Sequence, residues 1–325
     1  MMKRITVAIT AILALLCTSA MADSIKIDSK HFPDSQFRKL VKKYCDTDKD
    51  GILSETEAMV VTVINVHKRG IKSLEGIQYF PALNKLDCST VVELEDLFDD
   101  NAAYLNEIVE LDLSRNQALQ ELNCAGNLIK KLDLSNNSGL RVVDCSQNRG
   151  NNYSSGMSSI VLSNNPSLEE LNCSGNALEV INLDGCQALR ILNISDNPLT
   201  DLDLTHSTSL QTIDCSYCKI TDMDVANCPD LQNLNIADNQ IEWLDLSQNA
   251  MLEILDCSYN PISRINISNS EKLLSSVLSS GPHKIDEQLY GFGYYNDLHV
   301  AYTLITPVGC EVYNGNNLIF DGGVG

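Results

Sequence analysis

Apolar residues recur along this chain on a ruler of 21. A leucine opens each unit at Leu119, Leu140, Leu168, Leu189, Leu210, Leu231 and Leu252, with Leu83 as an earlier start and an echo at Leu273. From Leu119 to Leu252 five intervals are 21 residues; Leu140 to Leu168 is 28, and Leu83 to Leu119 is 36. Within a unit such as LEELNCSGNALEVINLDGCQA (168–188), apolar and polar residues alternate twice, around Leu171-Asn172-Cys173 and around Ile181-Asn182-Leu183. Alternation of period two predicts a short strand at each place, with a corner at Asn176 between them.

A unit this short cannot bury its apolar face alone, so successive units must stack. The corner residue follows from the stacking. At Asn127, Asn148, Asn176, Asn197, Asn239 and Asn260 a buried amide can pair with backbone groups left open where the chain turns, and Cys218 takes that place in one unit. The pattern predicts a leucine-rich-repeat solenoid of parallel strands and irregular connections with few helices.

The cysteines fit the same frame. Cys88, Cys124, Cys145, Cys173, Cys215 and Cys257 stand at the sixth position of a unit, where Ile194 and Ile236 stand in others. A site that accepts either side chain is a packing site. Turns about 4.8 Å apart put Cys173, Cys215 and Cys257 at steps of about 10 Å, too far to pair. Cys215 and Cys218 are formally a CxxC, but the repeat assigns one sulfur to the core and the other to the corner.

Ahead of the repeats lies DTDKDGILSETE, residues 46–57, with oxygens at the spacing of an EF-hand. Asp46, Asp48 and Asp50 take positions 1, 3 and 5, Gly51 the sharp turn, the Ile52 carbonyl position 7, Ser54 position 9 and Glu57 the bidentate position 12. The expected cofactor is calcium. A helix from Pro33–Asp34 to about Tyr44, with Phe37, Leu40, Val41 and Tyr44 on one face, leads in; residues 55–66 are expected to form the exiting helix, with Ala58, Val61 and Ile64 among its apolar positions. Calcium sensors generally pair two such loops. Here there is one, so a helical cap covering the open end of the stack, clasped by calcium, is the simpler expectation; a calcium-responsive switch is the alternative.

Residues 1–22 carry Lys3 and Arg4, an apolar run Ile5–Leu16 and Ala20-Met21-Ala22, the pattern of a secretory signal too short to span a bilayer. Its removal takes two of 23 basic residues and none of 43 acidic ones, leaving 21 − 43 = −22. Such a charge disfavours nucleic acid and anionic membrane, and no later apolar run is long enough for a span. The expected location is outside the cytoplasm: secreted, on the cell surface or periplasmic. The expected organisation is a signal at 1–22, an EF-hand-like cap at 23–70, the solenoid at 71–280 with insertions at 90–108 and 149–157, and a C-terminal β cap at 281–325.

With LNCSGN, LDCSYN, LDLSNN and the lead-in HFPDSQFRKL…DTDKDGILSETEA…GIKSLEGIQYF in hand, residues 28–270 resemble a bacterial secreted leucine-rich-repeat protein of the internalin-like, cysteine-ladder kind. That resemblance implies a binding surface without catalytic groups, facing a protein partner on a host or cell surface. The residues themselves point to an acidic surface for a basic partner, with Asp144, Asp214 and Asp256 among the outward positions of the first strand. Tyr217, Tyr259 and Trp243 are the expected aromatic anchors. An extracellular enzyme using the repeats as a targeting arm is the rival. His31, His67, His206, His283 and His299 form no metal spacing or nucleophile motif to support it.

Overall fold

The structure, a computed structural model, describes residues 24–90, 105–149, 156–270 and 272–273, and the backbone of four strands beyond them. The signal segment and most of both insertions lie outside the described residues. The chain divides into two compact units, within residues 1–178 and 179–325.

The first unit opens with β1 (Ile25–Lys26), α1 (Ser35–Tyr44), β2 (Ile52–Leu53) and α2 (Glu55–Val60). Asp34 caps α1, its Oδ1 accepting from the Gln36 and Phe37 amides at 2.8 and 2.9 Å. Its other oxygen accepts from the Lys72 amide at 2.9 Å, which ties the helix to the chain entering the repeats. Phe37 and Val41 are buried, whereas Leu40 and Tyr44 are half-buried. Phe32 stacks between the cap and that entry, its ring centroid 5.9 Å from Phe37, 5.7 Å from Tyr79 and 6.5 Å from Phe80. Gly76, at φ +107°, sits against this ring, where any side chain would overlap Phe32.

The exiting helix is shorter than the 55–66 expected. It ends at Val60, and Val63–Asn65 is instead β3, the first strand of the ladder, so the solenoid begins inside the segment assigned to the cap. The run Val60-Val61-Thr62-Val63-Ile64 explains the difference: β-branched side chains lose rotamer freedom in a helix and pack well on a sheet. Val61 and Ile64 are buried all the same, at 1% and 4% exposure.

From β3 the strands run parallel, one per turn, through β4 (Lys85–Asp87), β5 (Glu121–Asn123), β7 (Val142–Asp144) and β9 (Glu170–Asn172). Register aligns Ile64, Leu86, Leu122, Val143 and Leu171, all pointing into the core. A second file pairs β6 (Lys131–Asp133) with β8 (Ser159–Val161). The second unit repeats the scheme. There β10 (Ile191–Asn193), β11 (Thr212–Asp214), β12 (Asn233–Asn235) and β14 (Ile254–Asp256) stack in parallel, while β13 (Trp243–Asp245) pairs with β15 (Arg264–Asn266). Elsewhere the second alternating stretch, including 181–183, follows the turn without forming a strand.

The tail adds β16 (His283–Lys284), β17 (Leu304–Thr306), β18 (Glu311–Asn314) and β19 (Asn317–Phe320). β17 extends the first file beside β14, β18 extends the second beside β15, and β19 turns back antiparallel on β18. Antiparallel return closes the growing edge, the role expected for a terminal cap.

Corner asparagines hold the turns together. Asn127 donates from Nδ2 to the Cys88 and Cys124 carbonyls, both at 3.0 Å, and its Oδ1 accepts from the Ile108 amide at 3.1 Å. Asn148 and Asn239 repeat the arrangement one unit each, and all three are buried. Asn106, which the sequence reading left inside the 90–108 insertion, proves to be the corner of the Cys88 turn. Its Nδ2 donates to the Val66 and Cys88 carbonyls at 2.9 Å and its Oδ1 accepts from the Arg69 and Ile71 amides. The ten described cysteines carry no disulfide and are buried.

Candidate functional site

The 46–57 loop is shaped by its own aspartates. Gly51 donates its amide to Asp46 Oδ2 at 3.1 Å, Asp50 to Asp48 Oδ1 at 3.2 Å, and Ile52 to Asp50 Oδ1 at 2.8 Å. Left-handed backbone at Lys49 (φ 64°) and Gly51 (φ 81°) makes the sharp turn. Asp46, Asp48 and Asp50 each bring a carboxylate oxygen within 4.8 Å of the other two, the one such metal-competent group among the described residues. Asp46 is only 4% exposed, and its Oδ1 has no hydrogen-bond partner. A buried carboxylate oxygen without a partner is costly, and a hard cation with oxygen ligands is the chemistry that satisfies it.

Glu57 lies outside that trio. Its Oε1 accepts from the Thr47 amide and hydroxyl at 2.5 and 2.7 Å, and its Oε2 from the Ser54 amide and hydroxyl at 3.0 and 2.8 Å. Ser54 and Glu57 form the capping box of α2. Burial pushes the Glu57 carboxyl up, but the bonds from Ser54 and Thr47 outweigh it and hold the group at about 2, so it is a carboxylate. Cys45, behind the loop, is pushed to about 12 by burial and by the Glu57 charge. Ile52 does not stand free either: β2 pairs antiparallel with β1, Lys26 opposite Ile52 and Ile25 opposite Leu53. Where paired EF-hands brace one loop with another, this loop is braced by the strand that precedes it. The alternation in Ile25-Lys26-Ile27 was the signal for it, two residues too short to read as a strand.

The outward positions separate into two kinds. Asp144, Asp214 and Asp256 are half-buried, and the Oδ1 of each accepts from the amide and hydroxyl of the serine two residues on, at 3.0 and 2.7 Å. Their first task is therefore local turn formation, not the open acidic surface expected of them. Burial raises the Asp256 carboxyl against the opposing Ser258 bonds. Asp112 and Asp133 in the first unit, and Asp203, Asp224 and Asp245 in the second, are exposed.

Tyr217, Tyr259 and Trp243 are exposed, at 59%, 50% and 42%. The Arg264 guanidinium lies 5.2 Å from the Trp243 ring centroid. Trp243 also borders an open cleft of about 510 Å³ with Thr221, Asp222, Gln240, Glu242 and Pro261. The two tyrosines occupy the αL position after the first strand, whereas Trp243 stands on β13 of the second file.

The family described as Leucine Rich repeats (2 copies) matches residues 166–206 and 208–249. No curated protein matches the chain. Among solved structures, internalin C2 of Listeria monocytogenes is similar at 21% identity and a TM-score of 0.52, over 76% of this chain and 92% of that one. The functional domain of InlJ from Listeria monocytogenes, described as including a cysteine ladder, is 23% identical over 77% of this chain and 70% of that one, with a TM-score of 0.38. Parallel one-strand turns, the corner ladder, the matched repeats and the likeness to internalin C2 agree: the chain folds as a leucine-rich-repeat solenoid.

Proposed function

We propose that this is an exported protein-interaction module without catalytic chemistry, a solenoid whose N-terminal cap is clasped by calcium. The partner is a protein, basic in character or displayed on a host or cell surface. The solenoid supports this reading because it holds rows of side chains outward from rigid turns, as repeat proteins do when they bind. Internalin C2, one of the similar solved structures, has the same fold.

For the clasp, the supporting observation is Asp46 Oδ1, buried and unpaired beside Asp48 and Asp50. Those three residues, with the Ile52 carbonyl, Ser54 and Glu57, would hold the ion, which supplies positive charge among carboxylates and no reaction. The test is a thermal melt of the mature chain in calcium and in chelator, beside Glu57→Gln. Glutamine keeps the capping box when its oxygen faces Ser54, but its amide nitrogen then faces the Thr47 amide, so the readout is the calcium-dependent rise and not the absolute melting temperature. At a dissociation constant of about 0.1–1 mM, about 10 mM calcium stabilises by roughly 1.4–2.7 kcal/mol. A rise in melting temperature that the variant loses supports the clasp. A change of spectrum or association state at unchanged stability makes the loop a switch instead.

A further inference from the structure

The residues around the Trp243 cleft come from three successive turns of the second unit: Thr221 and Asp222, then Gln240, Glu242 and Trp243, then Pro261. Backbone bonds hold these turns at a fixed spacing, the Gln240 amide donating to the Ile220 carbonyl at 2.8 Å and the Ser263 amide to the Glu242 carbonyl at 3.2 Å. The polar side chains of the cleft are unengaged. Asp224 and Asp245, close by in sequence, each accept from the amide two residues on at 2.9 Å, Ala226 and Ser247. By contrast, the side chains of Thr221, Asp222, Gln240 and Glu242 and the Trp243 Nε1 make no hydrogen bond or ion pair to the described residues. They serve neither turn formation nor the core. The indole itself is held in place: Trp243 pairs in register with Arg264 of the following turn, whose guanidinium lies 5.2 Å from the ring centroid.

We propose that this cleft binds a neutral saccharide chain, a function separate from recognition of the protein partner. Charge selects against other occupants. A second cation stacked on the indole would meet the Arg264 guanidinium, and an anion would meet Asp222 and Glu242, whereas an uncharged ligand meets neither repulsion. A sugar ring has an apolar C–H face and a rim of hydroxyls. The face stacks on the indole and Pro261, and the hydroxyls, each both donor and acceptor, bond the two carboxylates, the Thr221 hydroxyl and both ends of the Gln240 amide. One aromatic with a few convergent polar groups is the composition of small-ligand clefts, and about 510 Å³ lies within their usual range of about 300–1,000 Å³.

Trp243 is the one tryptophan of the chain, so its emission reports this site alone. The full mature chain in calcium is titrated with cellohexaose, maltohexaose, mannohexaose and chitohexaose. At least one shifts the emission saturably, and a change from about 0.05 to about 0.5 M salt alters its affinity less than about twofold. Asp222→Asn with Glu242→Gln weakens that sugar about tenfold by the same readout, and Trp243→Ala abolishes its binding in calorimetry. Both variants melt with the parent, because every changed side chain is exposed. Asp112→Asn with Asp133→Asn, which removes equal charge from the first unit, changes the affinity less than about twofold. No response to any of the four sugars, equal binding by either cleft variant, an equal loss in the charge control or a steep salt dependence overturns the proposal. So does an emission shift given by a hexalysine peptide and by none of the sugars, which assigns the cleft to a cationic protein segment.

Discussion

Asn148→Ala and Asn137→Ala remove the same atoms from two fully buried corners of the first unit, yet their costs should differ by about 2 kcal/mol. Asn148 donates to the Cys124 and Cys145 carbonyls at 3.1 and 2.9 Å and accepts from the Ile129 amide at 3.1 Å. Both carbonyls keep a second donor in the variant, from Asn127 and Asn176 respectively, so each loses a bond worth about 0.5–1.5 kcal/mol. The Ile129 amide has no replacement and is left buried and unpaired, at about 1–3 kcal/mol. The total is about 2–6 kcal/mol. Asn137 donates to the Leu113 and Asn116 carbonyls at 3.0 and 2.9 Å, and these retain the Asn116 and Leu119 amides. Its Oδ1 is already buried without a partner, so alanine also removes an unsatisfied atom. The cost there is about 1–3 kcal/mol, lower than at Asn148 by the missing amide penalty. Urea unfolding in calcium gives the difference if the slope is unchanged, and amide exchange locates it: Ile129 loses protection in Asn148→Ala and keeps it in Asn137→Ala. Equal costs would refute the argument and make lost packing volume, common to both, the controlling term.

Two further outcomes follow from the same corners and from the thiols. Cys218→Asn should stabilise the second unit by about 1 kcal/mol in urea melts, because the present sulfur reaches the Ile194 and Ser216 carbonyls only at 3.6 Å whereas asparagines at this position make bonds near 3 Å. Iodoacetamide at pH 8 should leave Cys88, Cys124, Cys145, Cys173, Cys215 and Cys257 unmodified in mass-spectrometric maps until denaturant is added, since all are fully buried and burial raises the thiols of Cys88, Cys124, Cys145 and Cys215.

The ladder was legible because burial acts on every turn alike: Leu86, Leu122 and Val143, and Cys124 and Cys145, occupy one register, and repetition amplifies a weak two-residue signal. The aspartate trio was legible because its geometry is local, set within a dozen residues. What failed depended on neighbours distant in sequence. β1 is a strand because it meets β2, and Val63–Asn65 is a strand because β4 lies beside it. Asn106 is a corner because Val66 and Cys88 present carbonyls from 40 and 18 residues away. Asp144, Asp214 and Asp256 do alternate with the core, as period two requires, but the following serine claims their outward oxygen.

Every strand pairing within the stacked part of each unit joins residues one turn apart, 21 apart in β10 to β12. Such a chain closes only short loops as it forms. Ordering can therefore spread turn by turn from whichever edge forms first, each addition closing a loop of similar length at a similar entropic cost, so a chain of this kind lengthens without slowing the closure of any one turn.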